Sequence, residues 1–322
     1  MTARESLFDE DHRAGFRLFN GFTEGESRLV IDLYARTALI HNYADPPSEG
    51  ESAAAMAQEF IRTRLPWVRC ILVKTRSGDA VQKRGRLVYG DQPDDRICEG
   101  GVWYALDLTL NRDASLYLDT RHLRRWAREN LAGQRVLNTF AYTGSLGVAA
   151  MAGGAARVVH VDLNRDFLNL AKTSYTLNGF PIRKADFLAA DFWAQVGRFK
   201  RSGELFDCVL LDPPFFAETP RAALNLQYDS ARLINKVRPL VRDGGWLVAV
   251  NNAVFLSGKE YLQTLETLCA DGYLQIETFI PVPEDFCGYP QTWRGGPPVD
   301  PAPFNHATKI AVLRVQHSGK LR

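Results

Sequence analysis

The sequence predicts an α/β protein: a mostly parallel, doubly wound seven-stranded sheet in its second part, preceded by a smaller α+β domain. Three observations predict it. From about Arg121 onward, apolar runs of strand length alternate with helical patterns, the rhythm of parallel strands joined by crossovers. Before that point strand-like runs follow one another across turn residues, with one helix-length amphipathic stretch among them. At 322 residues, 46% apolar and 24% charged, the chain holds enough core for two domains. The boundaries read as 1–120 and 121–322.

In the first domain, residues 1–16 are polar and are expected to be loosely ordered. Strands are expected at Arg17–Phe19, Ser27–Tyr34, Thr37–Asn42 and Cys70–Thr75, with a helix over Glu51–Arg64 stopped by Pro66. Its apolar stripe reads as Ala54, Met56, Ala57, Phe60 and Ile61. Val102–Leu110 and Ser115–Leu118 read as a further hairpin.

In the second domain strands are expected at Val136–Phe140, Arg157–Asp162, Phe206–Asp212 and Gly245–Asn251, then at Leu274–Val282 and Lys309–Val315. Helices are expected at Ser145–Ala152, Arg165–Asn178, Ala222–Val241 and Lys259–Asp271. The Pro- and Gly-rich segment Pro283–Pro303 is a loop long enough to carry function.

Composition narrows the function. A net charge of +2 does not mark a bulk polyanion binder, so nucleic-acid contact would rest on local patches. Two such patches exist: Arg62, Arg64, Arg69, Lys74, Arg76, Lys83, Arg84 and Arg86, and then Arg121, Arg124, Arg125 and Arg128 at helical spacing. Trp67, Tyr89 and Trp103 are aromatic residues that stack bases if they are not core. Five scattered cysteines lack metal-ligand spacing and imply reduced thiols, so no metal is expected. With no signal-peptide pattern and no membrane-length apolar run, the expectation is a cytoplasmic protein with no membrane partner.

Open α/β sheets bind ligands at the carboxyl ends of their strands. The first strand of the second domain ends in Asn138-Thr-Phe140-Ala-Tyr142-Thr143-Gly144, a small-residue turn before a helix. It lacks the glycine pair of a dinucleotide loop, which argues against hydride transfer. The next strand ends at Asp162, followed by Leu163, where a carboxylate holds a ribose diol; Asn164 is the expected helix cap. Asp191-Phe192 is a third tip, an acid for an adenine amine and a ring over the base, with Asp186-Phe187 as its rival. The fourth strand runs into Asp212-Pro213-Pro214-Phe215-Phe216, where two prolines fix an extended turn. Asp212 and Phe215 are then placed to hold and stack a planar amine or base.

This arrangement suits transfer of a methyl group from S-adenosylmethionine, an activated donor that needs chiefly alignment and exclusion of water. The acceptor sets the remaining demands. Cytosine C5 needs a cysteine thiolate, guanine N7 needs only positioning, and an exocyclic adenine amine needs acceptors to orient it.

Several segments then resemble a known family. Arg17-Leu-Phe, Leu72–Arg76 with Gln82-Lys83, Leu118-Asp119-Thr-Arg121, Asn138–Gly144, Leu177-Asn-Gly179, Asp191, Asp212–Phe215 and Asn251-Asn252 are similar to bacterial 23S ribosomal RNA methyltransferases. Within these the chain is most like a guanine-N7 domain and is related to cytosine-C5 enzymes. The similarity runs from Gly15 to about Asn252. It implies a Rossmann-like class I methyltransferase domain behind an RNA-facing N-terminal domain, with S-adenosylmethionine as cofactor, S-adenosylhomocysteine as product and ribosomal RNA as partner. It favours Asp191 over Asp186 and places Asp119 and Arg121 at the cofactor entrance. Asn251 and Asn252, with Phe215 and Phe216, become the substrate contacts. The C5 relatives carry a cysteine where this chain has Asn251-Asn252-Ala253, which favours guanine N7 over cytosine C5 unless Cys287 of the long loop serves instead. Adenine N6, a protein or a small molecule are alternative acceptors, and a non-catalytic ribosome-assembly factor is the alternative of another class.

Overall fold

The structure, a computed structural model, describes residues 2–218 and 223–317. It divides into two compact units, Met1–Leu118 with Pro283–Pro297, and Asp119–Val282 with Pro298–Arg322.

The first unit is built on a five-stranded sheet in the order β1 (Gly15–Asn20), β2 (Leu29–Tyr34), β3 (Thr37–Asn42), β4 (Cys70–Thr75) and β5 (Arg86–Tyr89). A turn of helix, α1 (Gly21–Glu24), joins the first pair. The crossover between the parallel strands β3 and β4 is α2 (Glu51–Arg64). Ala54, Ala57 and Ile61 of α2 pack with Ile31, Leu33, Ile40 and Ile71 of the sheet. Met56 and Phe60, expected in that stripe, point to solvent instead. The buried stripe of α2 is thus the narrower one of Ala54, Ala57 and Ile61. A short α3 (Ala80–Arg84), capped by Asp79, leads into the edge strand β5; both were missed in the sequence.

The opposite face of this sheet is closed by the irregular segment 106–118. Tyr34 donates to the carbonyl of Leu116, and the buried Lys74 ammonium donates to those of Asn111 and Asp113. The expected hairpin of Val102–Leu110 with Ser115–Leu118 is therefore corrected. The hairpin is β6 (Arg96–Glu99) with β7 (Val102–Ala105), and 106–118 is spent on Lys74 and Tyr34. The N-terminus also differs from expectation. Residues Thr2–Leu7 form a 3-10 helix that buries Arg4, held bidentate by Glu24 at 2.9 and 3.0 Å.

The second unit holds a seven-stranded sheet. Its strands are β8 (Arg135–Thr139), β9 (Arg157–Asp162), β10 (Phe187–Ala189), β11 (Phe206–Leu211), β14 (Val241–Asn251), β15 (Leu274–Phe279) and β16 (Lys309–Val315). A small hairpin, β12 (Phe216–Glu218) with β13 (Ala223–Asn225), lies outside it. The order is β10-β9-β8-β11-β14-β16-β15, with β16 antiparallel to both neighbours and the other pairings parallel. The order reverses between β8 and β11, so the crevice beyond their carboxyl ends is where a doubly wound sheet takes its ligand.

The helices of this unit are α4 (Arg121–Asn130), α5 (Ser145–Ala152), α6 (Arg165–Leu177), α7 (Phe192–Ser202), α8 (Leu226–Val237) and α9 (Gly258–Cys269). The expected helix Ala222–Val241 begins later, because Ala223–Asn225 pairs as a strand; Ala222 lies outside the described residues. On α4 the expected basic face is broken: Arg124 is buried and donates to Thr120 Oγ1 at 2.9 Å. No helix among the described residues is long and apolar enough to cross a membrane.

The expected continuous domain 121–322 is interrupted. Residues 283–297, including the turn α10 (Glu284–Cys287), belong to the first unit. Asp285 accepts from the Arg17 backbone, the Phe286 carbonyl accepts from Asn20, and the Arg17 guanidinium lies 4.0 Å from the Phe286 ring centroid. Those pairings are long-range and leave no mark in local sequence.

Candidate active site

Four strand tips of the second unit, those of β8, β9, β10 and β11, build the site, with the end of β14 beside the fourth. After β8 the chain turns through Phe140, Tyr142 and Gly144, with φ of +51°, +49° and +77°. Left-handed backbone costs a non-glycine residue about 1–2 kcal/mol, and such strain gathers where a ligand is clamped. The turn is held from outside: Ala141 N–H donates to the Val161 carbonyl and Tyr142 N–H to Asp162 Oδ2 at 2.7 Å. At Gly144 a Cβ would meet Ala171 at 2.6 Å, so only glycine lets α6 approach the start of α5.

Asp162 ends β9, half-buried, with Leu163 beside it 56% exposed. Asn164 is the helix cap, accepting from Asp166 N–H, as the sequence predicts. Asp162 is nonetheless engaged, because it accepts from the Tyr142 and Asn164 amides. Burial raises its pKa, and those amides oppose the rise. A half-buried carboxylate beside an exposed leucine and a strained turn fits a nucleoside: a diol for the acid, an apolar edge for the base. The residues present therefore fit S-adenosylmethionine, which would supply the methyl group as a sulfonium.

At the third tip the two acids part. Asp186 is buried and paired with Arg157 at 2.7 Å, so its charge is already spent. Asp191 caps α7, accepting from Ala194 N–H through Oδ1 at 2.9 Å. Phe192 needs correction as the ring over a base: it is buried in the main core, stacked on Phe140 at 4.5 Å. Asn138 is also deeper than expected. Its amide nitrogen lies 3.3 Å from His160 Nδ1, and His160 Nε2 lies 2.9 Å from the Tyr175 hydroxyl. Burial holds the imidazole neutral, with a pKa pushed down to about 3. This Asn138–His160–Tyr175 chain props the turn from below. It was missed because its members sit 15 and 22 residues apart.

The fourth tip carries Asp212. Burial first, and then the charge of Asp119, push its pKa up to about 7. Asp119, just before α4, accepts from Thr308 Oγ1 at 3.1 Å, and Arg121 opens that helix. Pro213 is buried while Pro214, Phe215 and Phe216 are exposed, and the Phe215 carbonyl accepts from Leu226 N–H at the start of α8. Beside it, Asn251 ends β14 fully buried. Its amide donates to the Leu226 carbonyl and to Ser230 Oγ, and its oxygen accepts from Ala253 N–H. Asn251 thus ties the end of β14 to the start of α8, its amide spent within the fold rather than left for the expected substrate contact. Asn252 differs: its Oδ1 is buried and has no hydrogen-bonding partner among the described residues. An orphaned acceptor there costs about 1–3 kcal/mol, which a bound donor would recover. Lys309, missed in the sequence, donates to the carbonyls of Ala253 and Ala307 and holds this loop.

A doubly wound sheet with a strained turn and a half-buried acid at the ends of β8 and β9, and an Asp-Pro-Pro-Phe turn at the end of β11, is the arrangement of a Rossmann-like class I methyltransferase. The sequence profile of the S-adenosylmethionine-dependent methyltransferases matches residues 88–286, and the chain belongs to that family. It is 30% identical over 221 residues to ribosomal RNA large subunit methyltransferase I of Photobacterium profundum, across 68% of this chain and 56% of the relative. It therefore spans little more than half the length of that relative. The Bacillus subtilis protein YwbD, provisionally named a ribosomal RNA large subunit methyltransferase, is 30% identical over 295 residues, 88% of this chain and 73% of that one. The crystal structure of SMU.776 complexed with SAH superposes with a TM-score of 0.84 at 22% identity, over 98% of this chain and 78% of that one; the likeness is one of fold.

Proposed function

We propose that the chain methylates a base of 23S ribosomal RNA, with guanine N7 as the acceptor. The relatives named above carry ribosomal RNA in their names, and the target side of the site supports a base as acceptor. The observation that carries the choice of atom is the chemistry of the tips of β11 and β14. Methylation at cytosine C5 requires a thiolate to form a temporary adduct at C6. Residues 251–253 are Asn-Asn-Ala, and Cys208 lies buried inside β11, where burial raises its thiol pKa well above the ordinary value. A guanine N7 lone pair needs no such activation.

In this reading Asp162 and the Phe140–Gly144 turn bind and orient the donor. Phe215 stacks the target base, while Asn252 Oδ1 and the Asp212 carboxyl hydrogen-bond its edge. The Asp212 carboxyl, with its pKa near neutrality, has the option of donating or accepting. The two prolines keep Asp212 extended, so that alignment rather than acid–base power does most of the work. Mapping modified nucleosides in large-subunit RNA by mass spectrometry, with and without this protein, tests it. A missing 7-methylguanosine in the deletion strain, restored by purified protein, is the expected result. A missing 5-methylcytidine would sink the N7 assignment, and an unchanged map would sink the RNA assignment.

A further inference from the structure

The first unit carries a surface on which charge is left unpaired. Several arginines elsewhere are engaged: Arg4 by Glu24, Arg17 by Asp32, Arg76 by Asp113 and Arg157 by Asp186. Arg62, Arg69, Arg84 and Arg86 are exposed, and among the described residues none of their guanidinium groups has a hydrogen-bond or ion-pair partner. Three of the acids in this part of the chain are committed elsewhere, and Asp91, beside Cys70, is the exception. Asp79 caps α3, Glu59 accepts from Thr63, and Asp94 holds the Arg36 amide and the Thr37 hydroxyl.

Tyr89, three residues after Arg86 on β5, is 40% exposed. The Arg62 guanidinium lies over its ring, 5.2 Å from the centroid. A Cβ on Gly90 would meet the Arg69 carbonyl oxygen at 2.1 Å, so the chain after Tyr89 runs hard against Arg69. Register supplies the third side. Tyr89 pairs with Ile71 and Arg86 with Val73, and a bulge between them restores the phase. Ile71 and Val73 both belong to the core on the α2 side, so Tyr89 and Arg86 share that face of the sheet. Of the other two aromatic candidates, Trp67 stacks on His12 at 3.8 Å, and Trp103 is half-buried with both Arg13 and Arg96 over it, whereas Tyr89 carries one guanidinium and stays exposed. Arginines alone on an edge strand would be explained by the need to deter pairing with another chain. An exposed tyrosine beneath one of them would not.

We propose that this face, Tyr89 with Arg62, Arg69 and Arg86 around it, binds a single-stranded stretch of RNA. Phosphates lie on the arginines and an unpaired base stacks at Tyr89, the pairing of stacking platform and cationic surface that single strands require. The choice of RNA rests on the methylation reading; the geometry of the platform does not.

The test is fluorescence anisotropy of the full chain with a labelled 12-residue oligouridylate, and with an RNA duplex of the same length, over a potassium chloride series. Tyr89→Ala is expected to weaken oligouridylate binding about tenfold with the salt slope retained. Arg62→Gln with Arg86→Gln is expected to lower the slope by about 1.4, roughly 0.7 per cation removed. Calorimetric binding of S-adenosylmethionine, equal in all three proteins, shows that the variants are folded. The proposal is overturned if both variants bind like the wild type, if the duplex binds as well as the single strand with no effect of Tyr89→Ala, or if the wild type binds neither. A wild type that binds through this face yet leaves ribosomal RNA unmethylated would sink the methylation reading and leave the platform standing.

Discussion

Lys309 Nζ donates to the carbonyl of Ala253 at 3.0 Å, tying the first residue of the last strand to the loop that carries Asn252. Lys309 lies opposite Asn251 in the antiparallel ladder, so one buried ammonium and one buried amide hold the same three-residue turn. Burial lowers the lysine pKa to about 8, with Glu260 opposing the fall, so the amine is kept for its hydrogen bonds despite the cost of its charge. Lys309→Met leaves the Ala253 and Ala307 carbonyls without this donor. A loss of about 1–3 kcal/mol in urea unfolding is expected. Methyl transfer should fall by at least about tenfold while S-adenosylmethionine affinity, read by calorimetry, stays within about twofold.

Asp162 and Asp186 make a paired contrast. Asp162→Ala removes the acceptor of the Tyr142 amide and, in the proposed reading, the diol contact with it. Its dissociation constant for S-adenosylmethionine should rise about 10- to 100-fold, as loss of a charged hydrogen bond implies. Asp186→Ala breaks the Arg157 pair and should lower the melting temperature with little change in that constant. Calorimetry and thermal melts on both variants decide it; the reverse pattern would move the cofactor acid to Asp186.

The Asp212 carboxyl gives a pH signature. Its folded pKa is near 7, above the ordinary value of 3.8, so the folded state binds its proton more tightly than the unfolded chain. The associated stability is complete below about pH 4 and is lost as pH rises to about 7. Asp212→Asn should therefore melt higher than the wild type at pH 8, with the gap closing as pH falls toward 4. A gap independent of pH would show that Asp212 is not the group responsible.

Arg4 tests the folded N-terminus. Its ion pair with Glu24 is 2% and 6% exposed, and breaking such a pair by removing one partner costs about 3–5 kcal/mol. Arg4→Ala should show this loss in chemical denaturation. A change within error would mean that the segment is not held in solution.

Much of the frame was legible in order of residues alone. Thr37–Asn42, Cys70–Thr75, Arg157–Asp162, Lys309–Val315, Glu51–Arg64 and Ser145–Ala152 fall where hydrophobic period and Gly or Pro punctuation put them, because those signals are local. The turn after β8, the acid at the end of β9 and the Asp-Pro-Pro-Phe turn after β11 were legible for the same reason. Each is a short motif whose backbone demands are met by its own residues.

Tertiary structure decided which polar groups were free. Sequence treats Asn251 and Asn252 as a pair, and Asp186 and Asp191 as rivals. Partners 21 to 29 residues away, Ser230 for Asn251 and Arg157 for Asp186, remove one member of each. The same logic buries Phe192 against Phe140, hides Arg124 under Thr120, and draws 283–297 to the first unit through Arg17 and Asn20. Local pattern fixes which elements form and where their ends lie. Whether a side chain at such an end faces a ligand or is consumed by the fold depends on desolvation and on partners that only the assembled chain brings together.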